Sequence, residues 1–425
     1  MDERTLLYRQ RDSVLKIWRL LLENAIVYLK NKDEREKPFR DDAAYGVRKL
    51  YGFFKKFHEF EPLLYGAEKE LYRDHITHMF SVFLLGNYLI RNNIKFENVI
   101  VGNPKLPIGN AISVDEKEAM WCIMSLTHDL GYALEGIPNI SPQSRKMLEA
   151  FGLVGSIQEM SYSFPESPLH DILLKFISSD LLKHPTIEDN YISHTQSKYF
   201  LKFAEAMERF DHGIISCLVL LKNLVYFLET DFLIDIQKPL EAEDARQFQI
   251  RRDILRPIAG HNCDNIYYIE IPRFDFLLKI VDDMQEWGRP RFRDLFVEPP
   301  ITSLKVKAFN TEEVHYLITF GSQDLSTLTE AEAKKFKRFA RTFFARKSEA
   351  LFMALRSAVV GLPKRHIKVT IEVLDNIGES NIHHRYKIIH KSPEDVEIYE
   401  DEKRVEWLNF DEEWLGFVEE EKDNG

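Results

Sequence analysis

The chain has 425 residues, of which 44% are apolar and 29% charged, and its formal net charge is −11. This composition excludes a disordered or fibrous protein, and the length favours a main domain with a smaller second one. The acidic balance disfavours nucleic acid as a partner, because nucleic-acid surfaces need clustered positive charge, but a local basic pocket for a small anion is compatible with it.

The cysteine content and the N-terminal residues indicate the cellular compartment of the protein. The three cysteines include no CxxC pair, which argues against a disulfide framework and a thiolate zinc site. The first residues, MDERTLLYRQRD, lack an apolar signal core, and no later run approaches the ~20 apolar residues of a membrane span. We therefore expect a cytoplasmic protein without a membrane partner.

From the start to about Pro290, apolar residues recur at three- and four-residue spacing, which predicts helices. The segment Val99–Ala111, with its proline and glycine breaks, is predicted to be a loop. The predicted helices lie near residues 10–31, 42–59, 68–92, 114–129, 142–153, 168–183, 196–209, 212–229, 244–257 and 273–287.

After Pro299-Pro300 the pattern changes to the alternation of apolar and polar residues that is typical of half-buried strands. Four such strands are predicted, with a long amphipathic helix, Glu330–Val359, between the second and the third. The strands are Ser303–Phe309, Val314–Thr319, His366–Val373 and Arg385–His390. This β-β-α-β-β pattern predicts a small α+β domain.

The predicted organisation is therefore mainly α. We expect N-terminal helices over residues 1–67, a helical domain over 68–298, and an α+β domain over 299–425 with an acidic tail. The last domain has no catalytic cluster in its sequence. A regulatory, oligomerisation or substrate-covering role fits it, and a homo-oligomer is one expectation.

The most specific motif is Thr127-His128-Asp129-Leu130-Gly131-Tyr132, at the end of an apolar helix. An imidazole and a carboxylate that leave one helix end together are able to approach one metal ion, or the carboxylate bridges two. We expect Gly131 to permit a turn that keeps the site open. A lone His-Asp pair is common by chance, so the neighbouring motifs decide its meaning.

Further candidate ligands occur before and after this pair. His75 and His78 are three residues apart and share one helix face. His212 follows Asp211 at a helix start, where the pair also resembles an ordinary N-cap, and His261 lies in a predicted loop. Asp282 and Asp283 interrupt an apolar helix face, where a buried carboxylate is costly without a compensating cation or hydrogen bonds.

The order of these residues resembles the HD superfamily of metal-dependent phosphohydrolases, over about residues 68–290. That pattern is His, His-Asp, often two further His, and a final Asp on a helical bundle. The resemblance implies one ion held by His78, His128, Asp129 and Asp282, and a second held by Asp129, His212 and His261.

Mixed imidazole and carboxylate ligands suit Mn, Fe, Co, Ni or Zn and disfavour an all-oxygen magnesium site. The resemblance therefore implies two divalent transition-metal ions and hydrolysis of a small phosphoester by a metal-activated water. The substrate would be a nucleotide, a cyclic mononucleotide or dinucleotide, or another small phosphorylated molecule.

Two assignments stay open at this stage. The final acid is Asp282 in the frame that fits the family pattern better, and Asp283 in the other frame. His75 is either a catalytic group, which would protonate the leaving oxygen or contact the substrate phosphate, or a polar residue near a helix start.

The chain departs from several branches of the family, which carry a Lys soon after the His-Asp pair and, in cyclic-di-GMP phosphodiesterases, a GYP signature. A phosphate contact would then come from another cation near a ligand segment. The candidates are Arg73, Arg209, Arg256, Arg289 and Arg291, each of which is equally compatible with an ordinary solvated side chain.

Other functions share this residue order. Inositol oxygenases use the same ligand types to bind two irons for oxygen chemistry. A nucleotide-binding sensor with little turnover and an HD-type nuclease are the remaining alternatives, the nuclease being disfavoured by the acidic charge.

Overall fold

The structure is a computed structural model, and it describes residues 3–32, 46–56, 75–135, 168–228, 239–263, 266, 271–285, 301–320, 368–377, 382–392 and 395–405. The chain divides into two compact units. The first comprises Met1–Ile266, Pro272–Gln285 and Arg289–Arg293. The second comprises Tyr267–Ile271, Glu286–Gly288 and Asp294–Gly425.

The first unit is mainly helical, as the three- and four-residue periodicity predicts. Its first described helices are α1 (Glu3–Asn31), α2 (46–56), α3 (His75–Leu89), α4 (Pro107–Asn110), α5 (Val114–Thr127) and α6 (Tyr132–Glu135). These are followed by α7 (Pro168–Ser178), α8 (Ser197–Glu208), α9 (His212–Asn223), α10 (Val225–Leu228), α11 (Ala242–Gly260) and α12 (Phe274–Met284). A π-helical turn, Ile90–Ile94, extends α3.

Helix α5 lies at the centre of this unit. It is buried on all sides from Ala119 to Thr127, which is the pattern of a core helix rather than a surface helix. Helices α1, α3, α11 and α12 pack against it. The indole N–H of Trp18 on α1 donates to the carbonyl of Leu126 at 2.7 Å. The end of α5 is therefore held at the middle of the helical core.

The helix predicted over 168–183 is wrong in its last part. Helix α7 ends at Ser178, and the chain continues as strand β1 (Ser179–Lys183), which pairs antiparallel with β2 (Tyr191–Thr195). Arg252 of α11 anchors this hairpin by donating to the carbonyl of Ser179 at 2.9 Å and to Asp180 at 3.0 Å. A five-residue strand is too short for its period to be distinguished from that of the preceding helix.

Three other boundaries differ from the predicted ones. The helix predicted over 212–229 breaks at Leu224, between α9 and α10. Helix α11 continues past Pro257 to Gly260, although proline removes one backbone hydrogen bond. The predicted loop Val99–Ala111 contains the short helix α4. The helices predicted over 142–153 and Glu330–Val359 lie outside the described residues.

The second unit contains a six-stranded sheet in the order β3-β4-β5-β6-β7-β8. Its strands are β3 (Ile301–Phe309), β4 (Glu313–Phe320), β5 (Lys368–Ile377), β6 (Ile382–Ser392), β7 (Asp395–Glu400) and β8 (Lys403–Val405). Strands β4 and β5 are parallel, and the other neighbours are antiparallel.

The four predicted strands overlap β3 to β6, whereas β7 and β8 are additional strands. Their connection consists of Asp401 and Glu402, which both have positive φ angles, 48° and 66°. Two-residue hairpin turns of this kind usually have Asn, Asp or Gly followed by Gly. Because Glu402 occupies the position where Gly is usual, the sequence signal for this hairpin is weak.

No helix among the described residues is long and apolar enough to cross a membrane. The three cysteines, Cys122, Cys217 and Cys263, are buried and form no disulfide. This agrees with the absence of a disulfide framework that the cysteine spacing predicts.

The packing of α3 on α5 generates a prediction at Gly86. A Cβ atom there would lie 1.9 Å from Cζ2 of Trp121, whose ring stacks on Phe274 and whose N–H donates to the carbonyl of Phe83. We expect Gly86→Ala to lower the free energy of unfolding by about 1–3 kcal/mol, because the indole has to move within a packed core. Urea unfolding of the purified chain measures this change.

The matched control is Gly52 in α2, where an added Cβ meets no atom within 4 Å. Gly52→Ala should raise the free energy of unfolding by up to about 1 kcal/mol, since alanine loses less backbone entropy in a helix. Equal effects of the two substitutions would contradict the close packing of α3 on α5.

Candidate metal centre

Helix α5 carries His128 and Asp129 into the core. A capping box starts the helix: Ser113 accepts from the backbone N–H of Glu116, whose side chain accepts from the N–H of Ser113. The apolar sequence that follows buries the helix from Ala119 to Thr127, so that the polar pair at its end lies at 0% and 4% exposure. Two groups that prefer water are thereby fixed in the protein interior.

Gly131 allows the start of α9 to approach this pair. A Cβ atom at Gly131 would lie 2.2 Å from the carbonyl oxygen of His212. The N–H of Gly131 donates to the hydroxyl of Ser216 at 2.8 Å, and that hydroxyl donates to the carbonyl of His128 at 2.6 Å. Gly131 lies in the turn between α5 and α6, as expected, but its φ is not in the left-handed region, so the requirement for glycine is close packing of the backbone.

The other candidate ligands come from four different helix ends. His78 lies in the first turn of α3, and His212 is the first residue of α9. His261 follows α11 directly, and Asp282 lies in the last turn of α12. The structure brings these four residues together around Asp129.

Oδ2 of Asp129 faces the first half of the centre, which also contains His78, His128 and Asp282. Nε2 of His78 lies 3.6 Å and Nε2 of His128 lies 3.5 Å from this oxygen. Oδ1 of Asp282 is 2.7 Å from Nε2 of His78 and 3.5 Å from Nε2 of His128. Two nitrogens and two carboxylate oxygens therefore converge.

Oδ1 of Asp129 faces the second half, which contains His212 and His261. Their Nε2 atoms lie 3.4 Å and 3.5 Å from this oxygen and 3.0 Å from each other. Each oxygen of one buried carboxylate thus faces its own pair of imidazoles. A carboxylate placed in this way would offer one oxygen to each of two cations.

Backbone carbonyls fix the ring orientation of two histidines. Nδ1 of His128 lies 2.9 Å from the carbonyl of Ser125, and Nδ1 of His261 lies 2.7 Å from the carbonyl of Ile258. A carbonyl only accepts, so each Nδ1 carries the proton and donates. In the neutral ring, Nε2 then presents its lone pair to the centre, as in metal-ligating histidines.

Side chains hold the outer nitrogen of the other two histidines. Nδ1 of His78 is 2.5 Å from Oε1 of Gln285, and Nδ1 of His212 is 2.7 Å from Oε2 of Glu135. Glu135 is not among the residues predicted from the sequence, because α6 is a single turn without a ligand motif. A glutamate a few residues after the His-Asp pair is no signal by itself, and only its contact with His212 gives it a role.

The electrostatics of the centre follow from burial opposed by close charges. Burial would lower the pKa of His128, but the carboxylates of Asp129 and Asp282 raise it to about 9. Burial would raise the pKa of both carboxyl groups, yet the surrounding imidazoles hold the pKa of Asp129 and of Asp282 well below the usual range. Without an ion, a proton on His128 offsets part of the negative charge.

The donor set fits a divalent transition metal. Two sets of ligand atoms within 4.8 Å of one another occur among the described residues: His78, His128 and Asp282, and His128, Asp129 and His261. Ligand atoms about 2.1 Å from one ion lie roughly 3.0–3.4 Å apart at ordinary coordination angles. Nε2 of His128 is buried and has no hydrogen-bond partner in the described part of the chain, as expected of a nitrogen reserved for an ion.

Asp283 belongs to neither of these sets of ligand atoms, which were sought among the described residues. His75 is buried, and its ring lies 4.0 Å from that of Tyr132, which in turn lies 4.5 Å from the ring of His212. The ring of Tyr132 therefore lies between His75 and His212 of the second half and contacts both.

The candidate phosphate-binding arginines have different positions. Arg209 pairs with Glu205 and Asp211 at the surface. Arg256 donates to the carbonyl of Ile177 at 2.7 Å and to Gln196 at 3.1 Å, contacts that favour a structural role at the β1–β2 hairpin. The other three, Arg73, Arg289 and Arg291, lie outside the described residues.

Comparison of the chain with models of known protein families, with curated proteins and with solved structures gives no match.

The neighbouring acids on α12 generate a prediction. Asp282→Asn should lower the affinity for Mn²⁺ by orders of magnitude, because an amide does not supply the charge that offsets the cation. Asp283→Asn is the matched control and should cost at most about 10- to 100-fold, the usual effect of losing an outer partner. Metal titration of both variants measures the difference, and the reverse ranking would move the ligand by one residue.

The raised pKa of His128, about 9, predicts pH-dependent metal binding. Below that pH the ion has to displace a proton from Nε2, so the affinity should fall about tenfold for each pH unit. Calorimetry in buffers of different ionisation enthalpy should show that binding of the first ion releases one proton. An affinity that does not change between pH 6 and pH 9 would contradict the coupling of this imidazole to the carboxylates.

Proposed function

We propose that the chain is an HD-type metal-dependent phosphohydrolase that acts on a phosphoester of a nucleotide, a cyclic nucleotide or another small phosphorylated molecule. The observation that carries the proposal is the position of Asp129, whose two carboxylate oxygens face separate pairs of imidazoles at 3.4–3.6 Å. When bound, two divalent ions activate a water and neutralise charge on a transferring phosphoryl group.

The protein contributes a largely buried set of ligands. The two histidines of the first half are almost completely shielded from solvent, with His78 and His128 at 1% and 0% side-chain exposure. Asp282 and His212 are more exposed, at 24% and 13%. A substrate phosphate and its attacking water would therefore reach the centre beside Asp282 and His212.

His75 is our candidate for the proton donor to the leaving oxygen. It lies one helical turn before His78 and contacts Tyr132, whose ring lies 4.5 Å from that of His212 in the second half. Its imidazolium form would give one proton to the leaving oxygen and become a neutral imidazole, and the proton released by the attacking water would restore it. A packing role for the same ring would leave the rate constant of the chemical step unchanged, so kinetics separates the two roles.

The ligand order supports hydrolysis through its resemblance to HD phosphohydrolases. Inositol oxygenases have the same ligand types, so oxygen chemistry is the competing function. A sensor with little turnover would bind the nucleotide without consuming it. These three functions differ in what they consume.

The deciding experiment is an anaerobic screen of the purified chain, loaded with Mn, Co, Ni, Fe or Zn, against nucleotides, cyclic nucleotides and sugar phosphates. We expect phosphate or nucleoside monophosphate to be released without oxygen, with more than one metal supporting turnover. Asp129→Ala should abolish it, because both ions lose a shared ligand. His75→Gln should lower kcat while the metal content stays unchanged.

Two outcomes would overturn the proposal. Oxygen uptake with a strict requirement for iron, and no anaerobic hydrolysis, would favour the oxygenase. Tight nucleotide binding without turnover under any metal would favour the sensor.

A further inference from the structure

His212 differs from the other histidines of the centre in that two groups compete for its outer nitrogen. Oε2 of Glu135 lies 2.7 Å from Nδ1, and Nδ2 of Asn262 lies 3.0 Å from the same atom. The carboxylate only accepts a hydrogen bond, whereas the amide nitrogen only donates one. The two contacts therefore require opposite proton positions in the neutral ring.

The orientation of the Asn262 amide is set by a neighbouring backbone group. The N–H of Gly213 donates to Oδ1 of Asn262 at 3.2 Å. Because a backbone N–H is always a donor, the amide oxygen has to face it, and the NH2 group then faces Nδ1 of His212. The competition is thus built into the start of α9.

The two proton positions have opposite consequences for the second half of the centre. With the proton on Nδ1, shared with Glu135, Nε2 of His212 presents a lone pair towards Nε2 of His261 and Oδ1 of Asp129. His261 also presents a lone pair, since its Nδ1 donates to the carbonyl of Ile258. Three electron-rich atoms within 3.5 Å of one another are then available to a single cation.

With the proton on Nε2, hydrogen bonds satisfy the ring nitrogens of the second half, and no ion is needed. Nδ1 of His212 then accepts from Asn262, and Nε2–H donates to Nε2 of His261 at 3.0 Å. That hydrogen bond occupies the lone pair on Nε2 of His261. Nε2 of His212 has no free lone pair, because it carries the proton.

We propose that Glu135 and Asn262 are opposing positioning residues, which select the tautomer of His212 and thereby decide whether the second ion binds. Glu135 prevails in the intact chain, because its hydrogen bond is shorter and charge-assisted. The inference rests on the proposed metal centre and adds a control point for its second ion.

The test uses Mn²⁺ titration of the full chain, with the exchange-coupled electron paramagnetic resonance signal as the measure of a filled pair. Glu135→Ala should raise the second dissociation constant about 10- to 100-fold and leave the first unchanged. Asn262→Asp keeps the acceptor for Gly213 and replaces the donor by a second acceptor, so it should not weaken the second ion. The exposed Glu188 in the β1–β2 turn supplies the control, Glu188→Ala.

The double variant, Glu135→Ala with Asn262→Asp, separates tautomer selection from simple structural damage. It should bind the second ion nearly as well as the intact chain, because the new carboxylate accepts a hydrogen bond from Nδ1–H of His212. A double variant as weak as Glu135→Ala alone would overturn the inference, and so would a Glu135→Ala variant with an unchanged second constant.

A second measurement reports the tautomer of His212 directly, and it depends neither on the charge changed by the substitutions nor on catalytic turnover. Long-range ¹⁵N–¹H correlation spectra of the ion-free chain identify which nitrogen of neutral His212 carries the proton. We expect Nδ1–H in the intact chain and Nε2–H in Glu135→Ala, and the same tautomer in both would overturn the inference. Two bound ions without hydrolysis would overturn the proposed function alone, because neither readout depends on catalysis.

Discussion

The burial of the Asp129 carboxylate among four imidazoles is the constraint on which the first unit depends. A carboxylate at 4% exposure is costly unless positive charge or hydrogen bonds surround it. Helices α3, α5, α9 and α11 each direct one histidine towards it, and α12 adds a second carboxylate. The helices are thus tied together at their ends by the same atoms that would hold an ion, so that folding and metal binding share one set of contacts.

The two halves of the centre differ in ways that matter for chemistry. The first half has two carboxylates and two deeply buried histidines, whereas the second half has a shared carboxylate and a more exposed histidine. The outer nitrogens differ as well, since carbonyl and amide oxygens hold three rings and a charged carboxylate holds the ring of His212. The two halves therefore differ in the number of carboxylates and in the type of group that orients each imidazole.

The support around the centre is as specific as the ligands. Gly131 lets the backbone of α9 approach the His-Asp pair, and the hydroxyl of Ser216 joins the two segments. The extension of α11 beyond Pro257 places His261 at the helix end rather than in a free loop. These features concern backbone positions, which is why the histidine spacing did not reveal them.

The sequence by itself determined the mainly helical character and the four strands β3 to β6, because periodicity reports which face of a segment is buried. It also singled out His78, His128, His212, His261 and Asp282 as candidates, since their order resembles the ligand order of the HD superfamily. Only the tertiary structure decided that their atoms meet around Asp129, that β1 follows α7, and that β7 and β8 exist. The roles of Glu135 and Asn262 depend on contacts across 77 and 50 residues of chain, distances over which local pattern carries no information.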